Sequence, residues 1–249
     1  MKNGLLMATM ALVGMTITPA QASTYTFGWV TNSNLNTDLG LLYSLSNNGV
    51  TLTAYGLTAP STLTSPATAG PGLYAKNGGT GETGLGMATD PGNDHEISAA
   101  LNDGIQIDFS SALAAAPKAT VTMVISSVQS GEGWALYGSN TLYTVAGNSK
   151  TDGALGEPLL SGAGGAYTNA TTTITLPDWG EYTYYTLMAT DTGGCGSSDA
   201  NILLGTVTVN GGLTANYKNS PAPEPGSLLM AGTALIAIGV LMKKKQTKA

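Results

Sequence analysis

The chain has 249 residues, a formal net charge of −6 and no arginine, and 10% of its residues are charged. A nucleic-acid partner would require a basic stripe that contains arginine, so the composition excludes this class of protein. Cysteine occurs once, at Cys195, so no disulfide can form within the chain and packing must stabilise the fold. Residues 23–222 hold four lysines against fourteen acidic residues, a net charge of −10.

The first 22 residues have the three parts of a secretory signal peptide. Lys2 supplies the positive charge, residues 5–17 form a short apolar segment, and Pro19 ends it. The small-x-small sequence AQA predicts cleavage between Ala22 and Ser23. The alternative is that this segment is a buried first helix of the fold. We expect the mature protein to leave the cytoplasm.

Residues 23–217 contain many short segments in which apolar and polar side chains alternate, separated by Gly, Asn, Asp and Pro. This period of two is typical of β-strands with one face on the core. The inward residues predicted most clearly are Ile105, Ile107 and Phe109 (with Gln106 and Asp108 on the opposite face); Val121, Met123 and Ile125; Ile174 and Leu176; and Leu203, Val207 and Val209. Eight to ten such strands predict an all-β fold, an antiparallel β-sandwich that is jelly-roll-like.

Gly205 interrupts the last of these segments, which predicts a local irregularity in that strand. Helical periodicity is confined to the stretch SSALAAAP, a turn or two of helix that Pro117 ends. A parallel α/β fold needs helices between its strands, and the sequence leaves no room for them. Residues 218–222 form a linker that holds the sandwich away from the C-terminal segment.

The loop TDPGNDHEIS concentrates hard oxygen ligands. Asp90, Asn93, Asp94 and Glu96 lie within seven residues of one another, around a Pro-Gly turn. Calcium takes six to eight such oxygens, so the loop is a candidate structural calcium site. The alternative is an Asx-rich turn with solvated side chains. We expect no other cofactor.

Exposed aromatic rings can stack on sugars, and the sequence offers several candidates. They are Trp134, Tyr137, Trp179, Tyr182, Tyr184 and Tyr185. Trp134 shares a strand face with Leu136, which favours a core position for this indole. Trp179 stands in the turn sequence PDWG, and it is the residue that we expect to be exposed for glycan contact. The alternative for the whole set is packing in the core and at its edges.

Candidate catalytic residues are scarce. His95 is the only histidine of the chain, and it stands between Asp94 and Glu96 rather than beside a nucleophile motif. A hydrolase could be built from Cys195 and His95, or from two carboxylates, but fourteen acidic residues supply many pairs by chance. We therefore expect no catalytic site and an unreactive, buried thiol at Cys195, with a cross-link between two chains as its alternative.

The C-terminal segment, residues 223–249, has three parts. Pro223, Glu224 and Pro225 form a rigid extended tripeptide that a protease could read by its shape. Residues 226–242 carry no charge and would span about 25 Å as a helix, slightly less than a ~30 Å hydrocarbon core. Four lysines follow, which predicts a cytoplasmic end. These features by themselves describe a single-span membrane anchor.

Taken together with the signal peptide, the Pro-Glu-Pro tripeptide, the apolar run GSLLMAGTALIAIGVLM and the lysine cluster resemble the PEP-CTERM sorting signal of Gram-negative bacteria. The resemblance implies processing by an exosortase, a membrane-embedded cysteine protease, in a strain that makes exopolysaccharide. The basic cluster of this chain consists of lysines where such signals usually have arginines, and the positive charge is the same. The stretches GLGMATDPGNDHEISAALNDGIQIDFS, GEGWALYGSN and NILLGTVTV also resemble a loose class of PEP-CTERM ectodomains, which supports the sandwich.

The sequence thus predicts an exported, exosortase-processed protein of the cell surface or extracellular matrix, with a structural or adhesive role in an exopolysaccharide biofilm. Before processing it would be anchored in the inner membrane. The alternative is a carbohydrate-binding module for the cell's own exopolysaccharide, and a secreted hydrolase comes third. The partners implied are the exosortase, the inner membrane transiently, and exopolysaccharide.

Overall fold

A computed structural model describes residues 22–57, 72–88, 94–143, 145, 157–164, 170–193 and 200–212. Residues 1–21 of the predicted signal peptide, the linker at 218–222 and the predicted sorting signal at 223–249 lie outside these ranges. The described residues form fourteen strands and one short helix, so the predicted all-β class is confirmed. Among them, no helix is both long enough and apolar enough to cross a bilayer.

The elements follow one another along the chain with few helical residues between them. They are β1 (Ala22–Gly28), β2 (Thr37–Gly40), β3 (Leu42–Asn47), β4 (Val50–Leu57), β5 (Leu73–Asn77), β6 (Thr83–Met87), β7 (Ile97–Ser98), β8 (Gly104–Asp108), α1 (Ser110–Ala115), β9 (Thr120–Val128), β10 (Glu132–Ser139), β11 (Leu160–Ala163), β12 (Ala170–Thr175), β13 (Tyr184–Asp191) and β14 (Asn201–Gly212). The fourteen strands exceed the eight to ten predicted because β2, β7 and β11 are too short to show a period, and β6 (TGLGM) alternates glycine with apolar residues instead of polar with apolar ones.

The strands pair antiparallel in two sheets. Sheet 1 has the order β12-β9-β14-β6-β5-β2, and β1 and β7 also pair with β14. Sheet 2 has the order β11-β10-β13-β8-β4-β3. The antiparallel two-sheet architecture confirms the coarser part of the predicted fold, and the jelly-roll-like connectivity stays a prediction.

One hydrophobic core fills the space between the two sheets. Sheet 1 contributes Val121, Met123 and Ile125 of β9, and sheet 2 contributes Ile105 and Ile107 of β8. These five side chains are fully buried, as the alternating pattern predicts. The other predicted inward residues that lie in this core are Phe109, Ile174, Leu176, Val207 and Val209.

A β-bulge in β14 confirms the irregularity predicted at Gly205 and corrects one core residue. Leu204 pairs with Ile125 and Val207 with Met123, so two residues of β14 stand opposite one residue of β9. The extra residue reverses the alternation of side chains. Leu204 therefore lies in the main core, and the prediction that Leu203 shares the inward face of Val207 is wrong, since Leu203 is buried outside that cluster.

Helix α1 confirms the helical stretch that the sequence predicts within residues 23–217. It spans Ser110–Ala115, ends at Ala116 immediately before Pro117, and buries Ala112 and Ala115 against the core. Proline cannot continue the helix because its ring removes the backbone donor and clashes with the preceding turn.

The outer face of sheet 2 is partly covered by the chain itself. The turn that follows β10 brings Tyr143 and Val145 over the sheet, where they pack with Leu57, Tyr137 and Met188 in a second, smaller apolar cluster. The cluster draws on Leu57 at the end of β4, Tyr137 of β10 and Met188 of β13, and none of its described members comes from β3.

Candidate functional site

The structure describes two of the four predicted calcium ligands and separates them. Asp94 is exposed, whereas Glu96 is buried and accepts hydrogen bonds at Oε1 from Lys76 Nζ at 2.6 Å and Ser127 Oγ at 2.9 Å. Asp90 and Asn93 lie outside the described residues. Glu96 thus anchors the loop to β5 and β9, and calcium binding at this loop stays a prediction.

The neighbourhood of Glu96 has the features of a structural anchor. Burial raises the pKa of Glu96, and the contacts with Lys76 and Ser127 act in the opposite direction. His95 and Ser127 both have positive φ, 56° and 61°, a region that costs energy for residues other than glycine. The ring of His95 stacks on Tyr74 with the centroids 3.8 Å apart, so the chain's one histidine is packed onto sheet 1. Cys195, its candidate catalytic partner, lies outside the described residues.

Trp179 is only partly exposed. Its Nε1 donates to the carbonyl oxygen of Ala116 at 3.1 Å, and its ring lies edge to face with Phe109, the centroids 5.5 Å apart. The indole therefore closes one end of the core beside α1, and glycan contact through Trp179 stays a prediction. Trp134 is buried in the core, as its pattern predicts.

Four other residues form a polar and aromatic surface on the outer face of sheet 2. They are Tyr55 on β4, Asp108 on β8, Tyr184 on β13 and Tyr143 on the turn after β10, and we call them the tyrosine face. Asp108 pairs directly with Thr53 on one side and with Tyr184 on the other, because β8 lies between β4 and β13. All four side chains are partly buried, which leaves part of each ring and of the carboxylate open to solvent.

Hydrogen bonds and ring contacts fix this surface in place. Gln106 is buried, donates from Nε2 to Thr186 Oγ1 at 3.0 Å, and accepts from the backbone N of Tyr143 at 2.7 Å. Tyr143 then meets the ring of Tyr55 edge to face, with the centroids 5.7 Å apart. Gln106 thereby holds the backbone of Tyr143 beside Tyr55, and preorganised rings lose little entropy on binding.

The charge of Asp108 reaches the neighbouring phenols. Burial raises the pKa of Tyr55, and the nearby Asp108, Tyr143 and Tyr184 raise it further. The pKa of Tyr184 is raised by burial and then by Asp108. Both phenols therefore stay protonated through the neutral pH range and can donate hydrogen bonds, while the carboxylate of Asp108 accepts them.

This combination is suited to binding a hydroxyl-rich ligand. Aromatic rings offer apolar faces to the C–H side of a sugar ring, and the phenols and the carboxylate match its hydroxyl groups. The sequence analysis identified Tyr184 as a candidate and placed Asp108 on the outward face of its strand. It missed Tyr55 and Tyr143, because only the pairing of β4 with β8 and the turn after β10 bring these rings together.

No family model and no curated protein matches the chain. Among solved structures, the chain is similar to the adhesin domain of Lys-gingipain from Porphyromonas gingivalis, with 13% sequence identity and a TM-score of 0.24. The similarity covers 76% of this chain and 95% of that domain. A TM-score this low supports no conclusion about the function of the chain.

Proposed function

We propose that the protein is exported, is processed by an exosortase, and has an adhesive role at the cell surface or in the extracellular matrix, where it binds exopolysaccharide. The observation that carries the adhesive part of the proposal is the tyrosine face. Two rings, Tyr55 and Tyr184, lie near the carboxylate of Asp108, and a third, Tyr143, packs on Tyr55 with its backbone held by Gln106. Solvent-facing tyrosines of this kind supply contact area at a small entropy cost.

Support for export and processing comes from the sequence. The signal peptide with cleavage between Ala22 and Ser23 directs the chain across the inner membrane, and the sorting signal at residues 223–249 directs it to the exosortase. Residues 226–242 would hold the precursor in the membrane until cleavage near Pro223-Glu224-Pro225. The mature protein would then consist of the jelly-roll-like sandwich and the linker.

The tyrosine face favours the adhesive and carbohydrate-binding readings over a purely structural one. A scaffold protein would need no cluster of partly exposed rings around a carboxylate, since such rings are usually packed or dispersed. The proposed role is binding without catalysis.

A binding comparison between variants tests the proposal. The mature protein is purified from its host as wild type, Tyr184→Ala and Trp179→Ala, and its migration is measured in gels that contain the host's matrix polysaccharide. Tyr184→Ala should weaken binding about two- to tenfold, if a stacked ring contributes about 0.5–1.5 kcal/mol as it does in aromatic pairs.

Tyr74→Ala is the matched control, because Tyr74 is a partly buried tyrosine of sheet 1 and lies outside the tyrosine face. It should bind as tightly as the wild type. A wild type that the polysaccharide does not retard would refute the adhesive role. A loss confined to Trp179→Ala would move the site to the end of the sandwich beside α1.

A further inference from the structure

The charges of the tyrosine face are of one sign. Asp108 is the acidic residue among its four residues, and its Oδ1 accepts from the backbone N of Ser110 at 2.7 Å. Of the two lysines in the described ranges, Lys76 is bound to Glu96, and Lys118 lies in the turn that leads into β9 of sheet 1. No described cation is therefore part of this surface to offset the carboxylate.

The pairing of strands extends the surface in one direction. Asp108 lies in a row of directly paired residues that crosses four strands, from Ser44 on β3 through Thr53 and Asp108 to Tyr184 on β13. Four strands at a spacing of about 4.8 Å make this row roughly 14 Å long. Ser44 and Thr53 hydrogen-bond each other through their hydroxyls at 2.8 Å, so the polar lining continues past the carboxylate. A row of this length fits a chain of sugars better than a single ring.

We infer that the ligand of the tyrosine face is an uncharged polysaccharide chain, and that Asp108 excludes polysaccharides that carry carboxylate or sulfate groups. This inference rests on the proposed function. A carboxylate only accepts hydrogen bonds, and the hydroxyls of a neutral sugar donate them. An acidic sugar would place a second negative charge beside Asp108, in a domain whose residues 23–222 already carry a net charge of −10. The repulsion acts only on the anionic polymer, so one residue sets the selectivity.

The test uses polymers that share a backbone and differ in charge. The mature protein from the host is measured by affinity electrophoresis against hydroxyethylcellulose and carboxymethylcellulose, against dextran and dextran sulfate, and against the uncharged and anionic fractions of the host's matrix polysaccharide. The wild type should bind the uncharged host fraction, or the uncharged member of at least one pair, about two- to fivefold more tightly than its anionic counterpart, the range of a single solvent-exposed charge contact. The difference should shrink as ionic strength rises from about 0.01 M to about 1 M, where the screening length falls to about 3 Å.

Asp108→Asn separates the charge from the shape of the site. The amide keeps an acceptor for the Ser110 backbone N, and binding to the anionic polymers at low salt should rise about two- to fivefold, the range of a single solvent-exposed charge contact. Asp108→Glu keeps the charge and should keep the exclusion. Asp38→Asn is the matched control, since Asp38 also accepts from the backbone N two residues later, in sheet 1, and the substitution removes the same charge from the domain. Asp38→Asn should leave the affinities for the uncharged and for the anionic polymers unchanged.

Each outcome has a distinct meaning. Equal or tighter binding to the anionic polymers would overturn the inference and leave the adhesive role intact. The inference would also be overturned, with the adhesive role intact, if Asp38→Asn increased binding to the anionic polymers as much as Asp108→Asn does. The net charge of the domain, and not the position of Asp108, would then determine the selectivity. Binding to none of the polymers would overturn the inference together with the proposed function. Melting curves for each variant show that a change in binding is not a loss of fold.

Discussion

The ion pair between Lys76 and Glu96 joins two parts of the chain that the sequence keeps twenty residues apart. Lys76 comes from β5 and Glu96 from the segment that enters β7, and their side chains are 18% and 6% exposed. Burial of a carboxylate is costly unless a partner compensates it, and removal of one partner leaves the other with its full desolvation penalty. This pair is therefore a point at which a single substitution has a large effect.

We expect Lys76→Met to lower the free energy of unfolding by about 2–4 kcal/mol at pH 8, because Glu96 would remain buried without its cation. Protonation removes that charge, so the loss should be smaller at pH 5. Urea titrations at the two pH values measure both quantities. Lys118→Met, at an exposed lysine, should stay within about 0.5 kcal/mol of the wild type at each pH.

The free energy of unfolding of the wild-type protein should also fall as the pH rises. Burial raises the pKa of both Glu96 and Glu132 above the ordinary value of 4.5, so the folded state holds more protons than the unfolded state as the pH passes upward through this region. The stability from these two groups is therefore fully present below pH 4.5 and is lost as the pH rises through their folded pKa values. A Lys76→Met protein with the same loss at pH 5 and pH 8 would contradict this account of Glu96.

At the scale of a single element, the bulge in β14 shows how one glycine decides which side chains reach the core. A Cβ at Gly205 would lie 3.0 Å from Val124 Cγ1, 3.0 Å from Val124 O and 3.0 Å from Ser126 Oγ. Glycine thus allows β14 to approach β9 at the point where the register shifts. The switch of alternation from Leu204 to Val207 depends on this contact.

Gly205→Ala should lower the free energy of unfolding by about 1–3 kcal/mol, because the added methyl group would push β14 away from β9. Gly28→Ala is the matched control, since a Cβ at Gly28, at the end of β1, has nothing within 4 Å. It should change stability by no more than about 0.5 kcal/mol. Chemical denaturation of the two variants checks the prediction, and equal losses would mean that close approach at the bulge is unimportant.

The sequence predicted elements with a clear period and missed those that depend on pairing. The strand faces of β8, β9 and β12 were read correctly because a buried face imposes a period of two. The irregularity at Gly205 was also predicted, but a sequence does not show on which side of the glycine the extra residue falls, so Leu203 was assigned to the wrong face. The tyrosine face was missed in part for the same reason, because residues far apart in sequence become neighbours only through register.

At the scale of the whole molecule, the C-terminal segment should be absent from the mature protein. A 17-residue apolar segment is short for a permanent anchor, and it follows a rigid Pro-Glu-Pro sequence. Intact-mass measurement of the protein from the host's surface or medium should show a chain that ends near Pro225. A mature protein that retains Lys243, Lys244 and Lys245 would show that the segment is an ordinary membrane anchor.

The pairing of β1 with β14 has a consequence for the order of events during export. Ala22 pairs with Gly212, and β14 also pairs with β6, β7 and β9, so the strand at the centre of sheet 1 is the last of the described strands along the chain. A chain that crosses the inner membrane from its N-terminus brings β1 out first and β14 last. Sheet 1 cannot close before nearly the whole domain has been translocated, and contacts of such long sequence separation form slowly. In the proposed export, the predicted cleavage site between Ala22 and Ser23 therefore stays unpaired, and open to a signal peptidase, until the chain has almost completed its passage.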